Sequence, residues 1–305
     1  MLSEKSAFFS NLPYAIYVEA NGDPTGTCCL FIPGGYHTGF CYTKTPDGRD
    51  GWGKIAANYG YHSLITDVPG TGRSGGVPFE KINSQFIVDA YVDLINKIDQ
   101  KVIIFVHSLS GSIGFKIAET IPNKVSHLVA VEPSMFGNIQ EVLIPKTETD
   151  EMVCVNFHGL EFKLDMTKAA PASQQVIDRF TTKNDSTKLL FPKYSEQHLD
   201  QYAASLQNQH PRLLYELFNI RESKLKIENF GSLKCIQFLV LTSPDDPLHK
   251  EDDIKIVTKL REEGCNVEHW NKGAHGTEGN THMMMIEKNN ENIFIEINKW
   301  ILNNK

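Results

Sequence analysis

Short apolar runs recur along this chain, and between them the apolar residues fall at helical spacing. Val102-Ile103-Ile104-Phe105-Val106 is an unbroken, largely β-branched run, which suits a strand buried on both faces. His107-Ser108-Leu109-Ser110-Gly111 follows, and Ile113, Phe115 and Ile117 then mark an amphipathic helix, so Ser108 stands where strand passes into helix. The same pattern predicts strands over 14–19, 27–32, His62–Thr66, Val125–Val131, 235–241 and Asn266–Trp270. Helices are expected over 55–59, through Phe86, Ala90, Tyr91, Leu94 and Ile98, and over 254–263 and 293–302.

Strands alternating with helices imply an α/β fold, a mostly parallel twisted sheet with crossover helices. The alternation fails from Ser134 to Phe230. There 153–157 and 160–164 alternate about a turn at His158-Gly159, and helical segments follow over 199–209 and, opened by a proline, 211–218. The expectation is one domain, 1–305, carrying an inserted cap over 134–230 at the strands' C-terminal edge, where such sheets bind ligands. Phe157, Phe162, Leu189, Leu190, Phe191, Leu213, Leu214 and Phe218 are more apolar surface than a solvated loop carries. The alternative use of that surface is a dimerisation arm, which would make the chain a homodimer.

Composition narrows the function classes. A net charge of −7 over 305 residues, spread along the chain, argues against a nucleic-acid or anionic-membrane partner. No apolar run approaches the ~20 residues of a membrane span, and the first ten residues lack a signal-peptide core, so a soluble, cytoplasmic protein is expected. The six cysteines form no C-x-x-C pair and read as free thiols in a reducing compartment, with a Cys29 to Cys41 disulfide as the alternative. The eleven histidines show no metal-ligand spacing, and no metal or organic cofactor is expected. Asp67-Val68-Pro69-Gly70-Thr71-Gly72-Arg73-Ser74-Gly75 is glycine-rich after a strand, yet it has neither G-K-[ST] nor a G-x-G-x-x-G that opens a helix, so it fails both nucleotide tests.

A serine at a sharp strand-to-helix turn is exposed for attack, provided the residues two before and two after it are small. Ser110 is small and Val106 departs from the pattern. Pro33-Gly34-Gly35 ends another strand in paired glycines, whose N–H groups can face a developing oxyanion. The plainer alternatives are a helix-capping hydroxyl and an ordinary glycine turn.

Taken together these segments resemble the α/β-hydrolase superfamily. Pro33-Gly34-Gly35 is similar to its His-Gly oxyanion loop, Asp67 to Ser74 to its D-x-P-G-x-G-x-S loop, and His107-Ser108-Leu109-Ser110-Gly111 to its G-H-S-x-G-G elbow. A branch of bacterial serine esterases with a Ser/Glu/His triad is resembled most, through Thr45-Pro46-Asp47-Gly48-Arg49, Val131-Glu132-Pro133 and Gly279-Asn280-Thr281-His282-Met283-Met284-Met285. The resemblance implies a serine hydrolase that cleaves a carboxylic ester or related acyl compound through an acyl-serine. Ser108 would be the nucleophile, His282 rather than His275 the base, and Gly35 and Leu109 the oxyanion donors.

For the acid, Glu132 is preferred, because a carboxylate ending a buried strand needs a partner. Asp246, after the later strand, is the alternative. A lactonase or acyltransferase would use the same residues, and a binding protein on the same fold would keep them without turnover.

Overall fold

Strands buried on both faces satisfy their backbone only by pairing along both edges, which lines the apolar runs up side by side. The computed structural model describes residues 6–9, 15–157, 160–173, 196–244, 246, 250–271 and 273–304. Among these the strands are β1 (Ser6–Phe9), β2 (Tyr17–Asn21), β3 (Cys28–Ile32), β4 (His62–Thr66), β5 (Val102–His107), β6 (Val125–Val131), β7 (Thr147–Glu148), β8 (Met152–Phe157), β9 (Leu160–Asp165), β10 (Gln237–Leu241) and β11 (Asn266–Trp270). The α-helices are α1 (Phe40–Thr43), α2 (Trp52–Asn58), α3 (Ser84–Asn96), α4 (Ser110–Thr120), α5 (Glu196–Ser205), α6 (Pro211–Leu217), α7 (Phe230–Leu233), α8 (Lys250–Glu262) and α9 (Asn290–Asn303).

The main sheet has eight strands in the order β1-β2-β4-β3-β5-β6-β10-β11. β2 runs antiparallel to β1 and β4, and the other neighbours are parallel. Strand β1 has no counterpart in the sequence reading. Helices α8 and α9 begin earlier than their apolar spacing indicates, because their first turns are polar: Lys250 to Asp253 opens one and Asn290-Glu291-Asn292 the other.

Period-2 alternation divides the core between two faces. Ile104 and Val106 join Leu30, Leu64, Leu128 and Phe238 on the face covered by α3, α4 and α8. Ile103 and Phe105 join Phe31, Ile65, Val129 and Leu239 on the face covered by α2 and α9. All six cysteines are free thiols, so the Cys29 to Cys41 alternative is not realised.

Register decides what meets at the C-terminal edge. Ile32 is opposite Val106, His107 opposite Val131, and Val131 opposite Leu241. Ser108, Glu132 and Thr242 therefore leave the sheet at one level, with Pro33 one residue before it.

The insertion forms a separate antiparallel sheet, β7-β8-β9, followed by α5 and α6. Phe162 packs on Phe218 with ring centroids 4.9 Å apart, and Leu213 and Leu214 are buried. It is tied to the body where the Ser84 N–H donates to Glu216 Oε2 at 2.7 Å and the Lys116 ammonium to the Lys226 carbonyl at 2.9 Å. Leu189, Leu190 and Phe191 lie outside the described residues, as do the His158-Gly159 turn and the side chain of Phe157.

Two local devices fix the site's frame. Val106, too large for a standard elbow, is received by Gly114 one turn into α4, where a Cβ would stand 2.5 Å from Val106 Cγ1. Arg49, from the Thr45-Pro46-Asp47-Gly48-Arg49 turn, braces the segment before α9. Its guanidinium is held by Asp47 at 2.9 Å and donates to Asn290 Oδ1 at 2.6 Å, to the Lys288 carbonyl at 3.1 Å and to the Glu287 carbonyl at 3.2 Å. The Trp52 indole N–H adds a bond to the Asn290 carbonyl at 2.8 Å.

Gly114→Ala is expected to destabilise the protein in urea melts, because overpacking costs about 1–3 kcal/mol against ~1 kcal/mol gained in helix propensity. Adding Val106→Ala should remove the overlap, so the two changes combine far from additively. Arg49→Ala is expected to raise amide exchange across 280–289 about tenfold or more while leaving β5 and β6 protected, since it removes several charge-assisted bonds to that segment alone.

Candidate active site

The turn after β5 folds back so sharply that Ser108 takes φ +50°, a left-handed conformation unusual for a residue with a Cβ. Its N–H donates to the Val131 carbonyl at 3.0 Å, and its own carbonyl accepts the N–H groups of Gly111 and Ser134, both at 2.8 Å. Close approach requires glycine on two sides. A Cβ on Gly111 would lie 2.6 Å from the Ser134 nitrogen, and one on Gly34 would lie 3.0 Å from Ser108 Cβ. The Ser110 hydroxyl donates to the Pro33 carbonyl, which joins the elbow to the glycine loop. Leu109 caps α4, so the positive end of that helix faces the serine. Among the described residues, neither the Gly35 nor the Leu109 N–H has an acceptor.

His282 is buried, on a loop that turns around a single carboxylate. Glu287 accepts from the Thr281 N–H at 2.9 Å, from the Thr281 hydroxyl and from the Asn280 amide, while Asn280 and Asn289 exchange amide bonds at 2.9 and 2.8 Å. Met283, Met284, Met285 and Ile286 anchor the loop in the second core face. The His107 Nε2–H donates to the His282 carbonyl at 3.0 Å, and the two rings lie 4.6 Å apart, so the loop sits against the residue preceding Ser108. His275 is exposed and stacks on Trp270 at 4.0 Å.

His282 Nδ1 lies 2.6 Å from Asp246 Oδ2. A carboxylate can only accept, so Nδ1 carries the proton and Nε2 is left with its lone pair. Of the two candidate acids, Asp246 is the one in direct contact with His282 Nδ1. Glu132 is also buried, with φ +45°, and its Oε1 accepts the Ser243 N–H. Burial first, then the neighbouring Asp246 and Asp253 carboxylates, hold the Glu132 carboxyl well above the usual range, against the Ser243 N–H.

The sequence reading gave no role to His37, Tyr202 or Gln209. His37 Nδ1–H donates to the Gly35 carbonyl at 2.7 Å, and the Tyr202 hydroxyl lies 2.7 Å from Nε2. The Tyr36 N–H donates to Gln209 Oε1 at 2.9 Å, and the Tyr36 carbonyl accepts the Gln207 N–H at 2.8 Å. The glycine loop is thus clasped by the insertion. Burial pushes His37 down to about 4, against its bond to Gly35 and aided by His282, so the ring is neutral and the tyrosine is the donor to Nε2.

A cavity of about 680 Å³ opens beside this clasp, lined by His37, Cys41, Lys44, Asp67, Arg73 and Tyr202 among others. Ser108 is not in its wall. His37 belongs to both, since its ring lies 5.9 Å from that of His107. The Asp67 loop shapes the far wall: Arg73 pairs with Asp67 through two 2.8 Å bonds, and the Gly39 N–H reaches the same carboxylate at 2.9 Å. Among the described residues no group of three or more His, Cys, Asp or Glu is placed to hold a metal ion, and no helix is long and apolar enough to cross a membrane.

The chain is similar across its length to proteins of known class. The fungal "Probable secreted lipase phiG" (Fungal sp., strain ATCC 74256) is 24% identical, over 94% of this chain and 86% of its own length. Among solved structures, a novel bacterial esterase superposes with a TM-score of 0.60 at 16% identity, covering 100% of this chain and 96% of the other. The carboxylesterase CesB from Bacillus subtilis gives 0.62 at 13% identity, covering 98% and 91%. The family model described as the Alpha/beta hydrolase family matches residues 29–293, most of the chain, and with the sheet order and the strand-turn-helix at Ser108 it shows that this protein belongs to that family.

Proposed function

We propose that this protein hydrolyses carboxylic esters through an acyl-Ser108 intermediate. One observation carries the reading: a serine in a left-handed elbow faces a loop whose buried histidine has its Nδ1 proton held by Asp246. In that state His282 Nε2 takes the Ser108 hydroxyl proton as the oxygen attacks the ester carbonyl. The resulting oxyanion meets the Gly35 and Leu109 N–H groups and the start of α4. His282 then returns the proton to the departing alcohol, and a water activated the same way releases the acid and regenerates Ser108.

Several features support this reading over a binding protein that keeps the fold alone. Val106, the departure at the elbow, is accommodated by Gly114, and Pro33, the departure in the glycine loop, uses its carbonyl to hold Ser110. The relatives named above are a lipase and esterases. The insertion acts as a cap, bringing Tyr202 and Gln209 onto the glycine loop, and the cavity beside His37 takes one flank of the substrate.

A fluorophosphonate probe is expected to label the folded protein at Ser108 and to miss Ser108→Ala; labelling elsewhere with turnover intact would remove the mechanism. Asp246→Asn should lower kcat by roughly 10³–10⁴, since the histidine then loses its tautomer and the charge that stabilises its protonated form.

His37 gives a pH prediction for stability. Above about pH 6.5 the ring is neutral folded or unfolded, whereas between 6.5 and about 4 only the unfolded chain takes up the proton. This group's contribution is complete above 6.5 and falls as pH drops through that window, by up to ~3 kcal/mol. Urea melts should show the loss in the wild type, with a flatter acid limb in His37→Gln.

A further inference from the structure

Two carboxyl groups end neighbouring strands beside one histidine, and the esterase reading uses only one of them. Asp246 meets His282 through Oδ2. Glu132 reaches the same place from β6. Its backbone N–H is fixed to the Leu241 carbonyl at 2.9 Å, its Oε1 accepts the Ser243 N–H, and the Ser243 carbonyl accepts the Asp246 N–H. Its remaining oxygen, Oε2, is fully buried and has no donor among the described residues, although the carboxyl lies within hydrogen-bond reach of Asp246. As a carboxylate, Glu132 would leave that oxygen unsatisfied against a second negative charge, with Asp253 as a third on α8. An orphaned buried charge of this kind is costly, and a proton on the orphaned atom avoids that cost.

We propose that Glu132 is a neutral carboxylic acid whose Oε2–H donates to the Asp246 carboxylate, making it a positioning residue for the triad acid. One proton is then shared within the Glu132–Asp246 pair, and the pair carries a single negative charge. The donated bond holds the Asp246 plane toward His282 Nδ1 and spreads the charge that faces the imidazolium during turnover. Asp253 is engaged differently: its Oδ2 accepts from the Thr242 hydroxyl at 2.7 Å, and its buried Oδ1 has no donor among the described residues. His282 faces Asp246 from the other side, so Glu132, Asp246, Asp253 and His282 are the titratable groups of the cluster.

The inference rests on the serine-hydrolase reading, and its test separates the two. Infrared spectra of protein labelled with ¹³C-glutamate at neutral pH are expected to show a protonated-carboxyl C=O band that persists in Ser108→Ala and vanishes in Glu132→Gln. Absence of that band in the wild type would overturn the proposal, whether or not any variant folds. In kinetics, Glu132→Gln keeps a donor toward Asp246 and should hold kcat within about threefold, while Glu132→Leu removes it and should lower kcat about tenfold or more with KM little changed. Loss of roughly a thousandfold in Glu132→Gln with Asp246→Asn tolerated would make Glu132 the histidine's own partner and overturn the pairing. If Ser108→Ala retained esterase turnover, the hydrolase reading itself would fall, whatever the infrared band showed.

Discussion

Everything at the C-terminal edge of the sheet depends on the chain reversing direction at Ser108 within a single residue. That reversal puts a residue with a Cβ at φ +50°, a conformation costing on the order of 1–3 kcal/mol, and it persists only because its surroundings leave no alternative. Three glycines make the room: Gly34 on one side, Gly111 on the other and Gly114 beneath Val106. Backbone bonds from the ends of β5 and β6 then close around the turn. The same edge repeats the device at Glu132, where a second left-handed residue turns a carboxyl inward instead of letting it continue with the strand.

The fold was largely legible because buried parallel strands announce themselves. The runs His62–Thr66 and Val125–Val131 have the bounds that their apolar patterns indicate, since a strand covered on both faces has no polar side to blur its ends. Helix starts were less legible, because a polar first turn carries no apolar mark. Within the site, the elbow and the histidine loop could be found from local chemistry, each being a short segment with its own signature.

What could not be read were relations across the fold. Whether Glu132 or Asp246 meets His282 depends on the level at which β6 and β10 end, and both acids stand at a strand end in the right chain order. The bond between His37 and Tyr202 joins residues 165 apart, and that between Tyr36 and Gln209 joins residues 173 apart. Gly114 looks like an isolated helix glycine until Val106 is seen against it. The loop Thr45-Pro46-Asp47-Gly48-Arg49 was recognisable as a motif, yet its physical task, reaching Glu287, Lys288 and Asn290, was invisible along the chain.

That reach from Arg49 has a consequence for how the molecule comes into being. During synthesis Ser108 and both candidate acids emerge before His282, and the segment that shapes the histidine loop, 287–290, emerges after it. Until those residues exist, Arg49 and Trp52 lack their Asn290 partners, and Asn280 and Thr281 lack the Glu287 carboxylate around which they turn. A ribosome-bound chain can therefore complete its sheet through β11 while its histidine still lacks a fixed position. In the proposed mechanism the serine is in place early, and its activation waits on the arrival of the last helix.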